Sequence, residues 1–431
     1  MSVHAALPSP PRDASFENDL RRFLEGYDAL WQSAVIDVPE SAITFTVEAQ
    51  RGNERQADLL INSMEKKLRN YPVTERAQKP WRDRIFLSLR QMGTKSFRFP
   101  ERHFDIIFSP DYLEATRAFA HQARAFDSGI GTSALAQAMR NVWVMNCLQM
   151  FLGRQPSLSK SVFAYSMLYP YTDNYLDQPS LSREDKETAC HRLGLRLCGR
   201  RLEPSDAHEA AVFRLISMIE EEYPRDAHPA IYSSLLAIHA GQIMSLDQQC
   251  GLCAPETATL LRTSIEKGGS SVLADGWLVG GQLRREQAGF FFGFGVMLQL
   301  LDDLQDLTDD RRAGHWTLFT SAASSERLDS LTSRLWHFMH RMLEGTDCFS
   351  DPHGQELKDL IRRNSIMLML RAVAENADLF SSDYLLHMER FSALSFSFLR
   401  DRRGEIEERF ARTWSLVARR RNLHSIFELL G

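Results

Sequence analysis

Hydrophobic residues in this chain recur at a spacing close to that of a helix. Phe16, Leu20, Phe23, Leu24, Tyr27, Leu30 and Trp31 mark one stripe, and Val212, Leu215, Ile216 and Ile219 a second. Leu235, Leu236, Ile238, Ile243 and Leu246 belong to a third. Such a period puts apolar side chains on one helix face and polar ones on the other. Alternation of the strand type is nearly absent, residues 42–47 being the one short candidate. The punctuation is helical too. Ser182 with Asp185 three positions on reads as a capping box, and Pro224 and Pro229 separate two helices. The pattern predicts an all-α protein in three parts. Residues 1–14, with Pro8, Pro10 and Pro11, are expected to form a disordered tail. Residues 15–125 read as an N-terminal helical extension of two or three helices, irregular over 95–110. Residues 126–431 read as one helical domain of about ten helices.

Two aspartate clusters break this pattern: Asp173, Asn174 and Asp177, then Asp302, Asp303 and Asp306. On a helix, residues i and i+4 share a face at about 6 Å, so each cluster aims two carboxylates in one direction. Like charges so close repel unless a cation lies between them. The second cluster continues the apolar run 290–301, which holds Phe290, Phe291, Phe292 and Phe294 and is too hydrophobic for a surface helix. Carboxylates extending such a segment are costly unless paired or metal-bound. Mg²⁺ prefers oxygen ligands and leaves coordination positions for phosphates, so two opposed faces of this kind would clamp a diphosphate.

Composition narrows the picture modestly. Hydrophobic residues make up 44% and charged residues 25%, ordinary for a globular protein, and the net charge of −5 leaves no electrostatic footprint for nucleic acid. No apolar run reaches the ~18 residues of a membrane span, and the first residues lack the features of a secretory signal. The expectation is a cytoplasmic protein. Cys250 and Cys253 form a lone CxxC with no second pair, so no zinc site is expected.

The residues 298–306, which include Gln299, Asp302, Asp303 and Asp306, resemble the second aspartate-rich motif of trans-isoprenyl diphosphate synthases. Residues 309–318 resemble the segment that follows it there, with His315 where those enzymes carry lysine. Asp173, Asn174 and Asp177 resemble the first such motif with its second aspartate replaced. Residues 267–274 are similar to the helix whose lysine contacts the diphosphate. The similarity spans about 130–320. It implies a class I isoprenoid synthase fold: antiparallel helices around a deep central cavity with a metal and diphosphate mouth. It further implies that Asp173, Asp177, Asp302 and Asp306 bind three Mg²⁺ ions with Asp303 in support, and that an allylic isoprenyl diphosphate ionises to a carbocation. Substrate contacts would come from Lys267, Gln299, Arg312, His315, Arg183 and Tyr169.

The departures bear on the reaction. No glycine-lysine-x-x-arginine segment for isopentenyl diphosphate is found, and Arg183 stands alone where chain-elongating enzymes have an arginine pair. The expected activity is therefore a terpene synthase acting on one preformed diphosphate. A chain-elongating prenyltransferase and a non-catalytic helical partner subunit are the alternatives. Peripheral membrane contact through a lipophilic substrate or product, and a homodimer, are compatible with either enzyme. Pro170 is expected to interrupt the helix before the first motif. Phe290 to Phe294 read as core before cation shield. His239, Gln242, Asn141 and Asn146 lie on apolar helices where they could face the cavity, and read as structural hydrogen-bonding residues first; Arg362, Arg363, Arg402 and Arg403 read as solvated charge pairs before a closure over the diphosphate.

Overall fold

The computed structural model describes residues 14–421 apart from 179, 249–254, 346–347 and 350–352. The expected tail over 1–14 lies almost wholly outside these residues, and so does the Cys250–Cys253 pair. Eighteen α-helices and no strand are found among the described residues. They are α1 (Ala14–Gln32), α2 (Val47–Arg69), α3 (Glu75–Lys95), α4 (Glu101–Ile107), α5 (Pro110–Phe126) and α6 (Thr132–Phe151). Then come α7 (Lys160–Leu176), α8 (Arg183–Leu197), α9 (Ala207–Glu222), α10 (Pro229–Ser245), α11 (Thr257–Gly280) and α12 (Arg285–Gln305). The last six are α13 (Leu307–Ala313), α14 (Leu318–Ala322), α15 (Asp329–Glu344), α16 (Gly354–Glu375), α17 (Ser382–Glu389) and α18 (Phe396–Arg421). No helix among them is long and apolar enough to cross a membrane.

Two local expectations change. The stretch 95–110 is not irregular throughout: Pro100 precedes α4, whose Phe104 and Ile106 are buried. Burial of those two side chains supplies what seven residues of helix propensity lack. Pro170 does not interrupt α7, which runs through it to Leu176. The surrounding turns are buried by neighbouring helices, and tertiary packing holds the helix across the missing N–H. The capping box at Ser182 and Asp185 forms as expected.

The centre of the molecule is the pair α11 and α12, joined by a four-residue turn over 281–284. Their side chains match in antiparallel register: Ser264 meets Asp303, Gly268 meets Gly295, and Gly276 meets Phe291. A methyl group on Gly295 would overlap the backbone carbonyl of Gly268, and one on Gly268 would lie 2.7 Å from the Gly295 carbonyl oxygen. The two glycines therefore set how closely the backbones approach. α1 lies in a second glycine-made trough on α12, where the Tyr27 ring covers Gly293, Phe23 covers Gly289, and the Tyr27 hydroxyl donates to the Gly289 carbonyl at 2.8 Å. Phe16 and Trp31 of α1 thus join the same hydrophobic core as α6, α7, α11, α12 and α15. The phenylalanine run is part of this core: Phe292 faces Phe23 and Tyr27, while Phe290 faces Phe151 and Phe349. α2, α3 and α18 pack at the periphery around a small cluster of Leu68, Tyr71 and Trp81.

Gly295→Ala should destabilise the chain by roughly 1–3 kcal/mol, because the rigid backbone across from it cannot yield. Thermal melting followed by circular dichroism reads this as a lowered Tm. An unchanged Tm would mean the two helices slide apart at little cost.

Candidate active site

The register of α11 with its neighbours decides where the aspartates meet. α7 is antiparallel to α11, since Tyr165 and Tyr169 reach Ser271 while Ser161 reaches Leu278. α12 is antiparallel to α11 as well, so α7 and α12 run parallel and end at the same pole. Their C-terminal turns carry the two clusters: Asp177 is the C-cap of α7 and Asp306 the C-cap of α12. α6 runs antiparallel to α7, as Asn141 bonds Ser166 and Gln149 bonds Ser157, which brings the N-terminal part of α6 to this pole. α10 delivers its C-terminal end there, with Gly241 against Lys267.

The result is one recess of about 250 Å³ lined from both clusters. It gathers Asp173, Asp177, Asp302, Asp303, Asp306, Lys267, Gln299 and His315. Arg140, Gln242, Ser264 and Asp310 also line it. Two of the expected contacts stand elsewhere: Arg183 is exposed and pairs with Glu187 at 2.7 Å, and Arg312 is exposed and pairs with Asp309 at 3.1 Å. Tyr169 sits one layer below, its hydroxyl bonded to Ser271, in a seam of about 40 Å³ between α7 and α10. Gln242 lines both spaces. The seam exceeds by little the ~30 Å³ share of one liquid water, so the interior beneath the recess is narrow.

Hydrogen bonds orient the inner carboxylates. Ser264 Oγ and Gln299 Nε2 each donate to Asp303 at 2.8 Å, one to each oxygen. Gln242 Nε2 donates to Asp173 Oδ1 at 2.7 Å, so this residue serves the site and not only the core. After α13, Gly314 in the left-handed conformation (φ 73°) turns the chain back, and His315 approaches Asp310, Nδ1 to Oδ1, at 3.7 Å.

The charges do not balance within the lining. Six carboxylates face two Lys or Arg side chains, Lys267 and Arg140, an excess of four negative charges (6 − 2) with His315 neutral. Two helix C-termini add their partial negative charge at the same place, where aspartate is ordinarily disfavoured. The proton affinities register the crowding. Burial, then the charges of Asp306 and Asp303, push Asp302 up to about 7, against the opposing pull of Arg140 and Lys267. Burial pushes Asp303 up to about 6 despite its two hydrogen bonds. Asp302 is open to the water of the recess and Asp303 is 5% exposed, so desolvation weighs more surely on Asp303. Burial likewise raises Asp173, with Lys267 opposing. Burial pulls Lys267 down, but Asp173, Asp177, Asp303 and Asp302 together hold it above its usual value. The bond to Asp310 raises His315.

These donors fit a hard divalent cation in one particular way. Among the described residues no three His, Cys, Asp or Glu side chains converge on a point. Mg²⁺ does not need such a cage, because it keeps several waters and is held through one or two carboxylates plus phosphate oxygens. Opposed pairs across a recess, with Lys267 between them, suit that mode. Arg140 and Ser264 are not assigned to the site by sequence, and Gln242 only as a residue that could face the cavity. Arg140 lies on a helix without an acidic motif, and no local signal marks it.

No family model and no curated protein matches the sequence. Among solved structures, a cucumene synthase variant is matched at 15% identity, over 69% of this chain and 94% of that one, with a TM-score of 0.36.

An acid whose pKa is higher folded than unfolded lends stability while protonated. That contribution is full below the ordinary carboxyl range and is lost as pH rises through about 6 for Asp303 and about 7 for Asp302. Without divalent ions, Asp302→Asn should therefore raise the Tm at pH 8 and leave it nearly unchanged at pH 4, while removing most of the stabilisation that Mg²⁺ brings at pH 8. Equal destabilisation at both pH values would contradict the electrostatic account.

Proposed function

We propose that this chain is a Mg²⁺-dependent class I terpene synthase that ionises an allylic isoprenyl diphosphate and releases diphosphate. One observation carries the reading: two aspartate clusters, 129 positions apart (302 − 173), line a single recess with a lysine between them. Bound there, Mg²⁺ would neutralise the departing diphosphate. Asp173 and Asp177 on one wall, and Asp302 and Asp306 on the other, are the ligands in this reading, and Asp303 braces the second wall through Ser264 and Gln299. Lys267 and Arg140 grip diphosphate oxygens, and His315, held by Asp310, closes the rim. As the allylic carbon–oxygen bond breaks, its electrons leave with the diphosphate, and the hydrocarbon cation is left in the recess above the narrow seam that Tyr165 and Tyr169 border. Loss of a proton or capture of water then ends the reaction.

Chain elongation is the less favoured reading because a second diphosphate needs a second basic pocket. Lys267 and Arg140 are the Lys and Arg of the recess among the described residues, and six carboxylates outweigh them.

Purified protein given geranyl, farnesyl or geranylgeranyl diphosphate with Mg²⁺ should release diphosphate and yield a hydrocarbon or alcohol detectable by mass spectrometry. Asp173→Ala and Asp302→Ala should each lower kcat by about 10²-fold or more, the scale of losing a main electrostatic stabiliser. Turnover surviving both changes would refute the metal mechanism, and products formed only with added isopentenyl diphosphate would move the assignment to elongation. Widening the narrow seam through Tyr169→Ala should shift the preferred substrate toward longer chains. An unchanged order of kcat/KM across the panel would take Tyr169 out of the substrate path.

A further inference from the structure

A second recess, of about 260 Å³, opens on another side of the protein and shares no lining residue with the aspartate site. Its walls come from the connection after α1, from Phe97 and Phe99, from α16 and from the segment leading into α18. Ile43 and Phe45 face it from the connection after α1, and Phe97 and Phe99 face it from either side of Arg98. Phe45 N–H donates to the Arg390 carbonyl at 2.7 Å, and His387 Nε2 lies 2.7 Å from the Pro39 carbonyl, so this wall is tied down. The space is larger than the ~150 Å³ apolar cavity that takes up benzene. Met367, 40% exposed, stands at its mouth, so the recess is open to solvent.

Arg98 does not line the recess but lies beside it, between Phe97 and Phe99 and against the ring of Phe45, and gives this face a chemical sign. It is the one non-glycine residue with positive φ (57°) among the described residues, a conformation that costs energy and is held by its surroundings. Its guanidinium lies 4.6 Å from the centroid of the Phe45 ring and donates to the Thr44 carbonyl at 3.1 Å. Arg363, in the wall, donates to the Arg98 carbonyl at 3.2 Å and to Asp359 at 2.8 Å, and Arg371 donates to Glu375 at 2.8 Å. Two rim arginines are thus paired with carboxylates. Arg98 is exposed, and among the described residues no carboxylate lies within ion-pair distance of it.

We propose that this recess binds a single-chain anionic amphiphile from solution, its hydrocarbon chain between Ile43, Phe97, Phe99 and Ile366 and its head group on Arg98. Apolar walls supply the affinity and the guanidinium selects the anion. This site is independent of the diphosphate chemistry assigned to the aspartate recess.

Isothermal titration of the full chain with decyl phosphate, in buffer holding Mg²⁺ and inorganic diphosphate to occupy the aspartate site, tests the proposal. One molecule should bind per chain, decanol more weakly, and inorganic phosphate not measurably. Arg98→Gly, which suits the positive φ, should weaken decyl phosphate roughly tenfold while leaving decanol unchanged. Ile43→Trp should abolish both by filling the recess, and Met367→Trp at the mouth replaces it if that variant does not fold. Binding that ignores Arg98→Gly and the filling variant lies elsewhere and overturns the proposal, as does an absence of saturable binding. Sedimentation with phosphatidylglycerol vesicles, lost in Arg98→Gly while decyl phosphate fails to bind, would assign the recess to a membrane surface instead and equally refute it.

Discussion

Gly268 and Gly295 let α11 and α12 touch backbone to backbone, and the geometry of the site descends from that contact. With the helices this close, Ser264 reaches Asp303, and Gln299 and Lys267 flank the same crossing. Gly241 repeats the device on the other side of α11, where an added methyl would come within 2.9 Å of the Lys267 Cα. Lys267 is thereby held among four carboxylates by helices that have no room to drift. A charged side chain in such a place is kept by its partners, since an uncompensated buried ion costs several kcal/mol.

The direction of the helices matters as much as their spacing. Because α7 and α12 are both antiparallel to α11, they finish at one end of the bundle, and their terminal aspartates add to the negative ends of two helix dipoles. Four excess negative charges among the lining residues are what a folded chain would avoid if stability alone counted. In the proposed function, divalent cations together with a diphosphate would relieve that strain. The raised proton affinities of Asp302, Asp303 and Asp173 express the same strain.

Space below the recess is scarce. Phe291, Phe292, Met145 and Leu300 fill the bundle, and the seam beside Tyr165 and Tyr169 is narrow. Aromatic residues that a reading of the chain can assign either to a cavity wall or to the core divide accordingly. The phenylalanines of α12 pack against α1 and Phe349, whereas the tyrosines of α7 border open space.

Much was legible along the chain. Apolar period and capping residues fixed the all-α class and the stripe of α1, and the i, i+4 aspartates announced two carboxylate faces. Periodicity reports which side of each helix is apolar, a local property. It does not report which helices run parallel or how near their backbones come. Hence Arg140 and Ser264 entered the site unheralded, while Arg183 and Arg312, adjacent in sequence to the motifs, turned to solvent. Helicity through Pro170 and over 101–107 likewise came from burial by distant segments. Residue order alone set two acidic helix ends and the lysine; bringing them to one pole required the packing of α11 against α7, α10 and α12, because only three-dimensional register converts separation along a chain into distance.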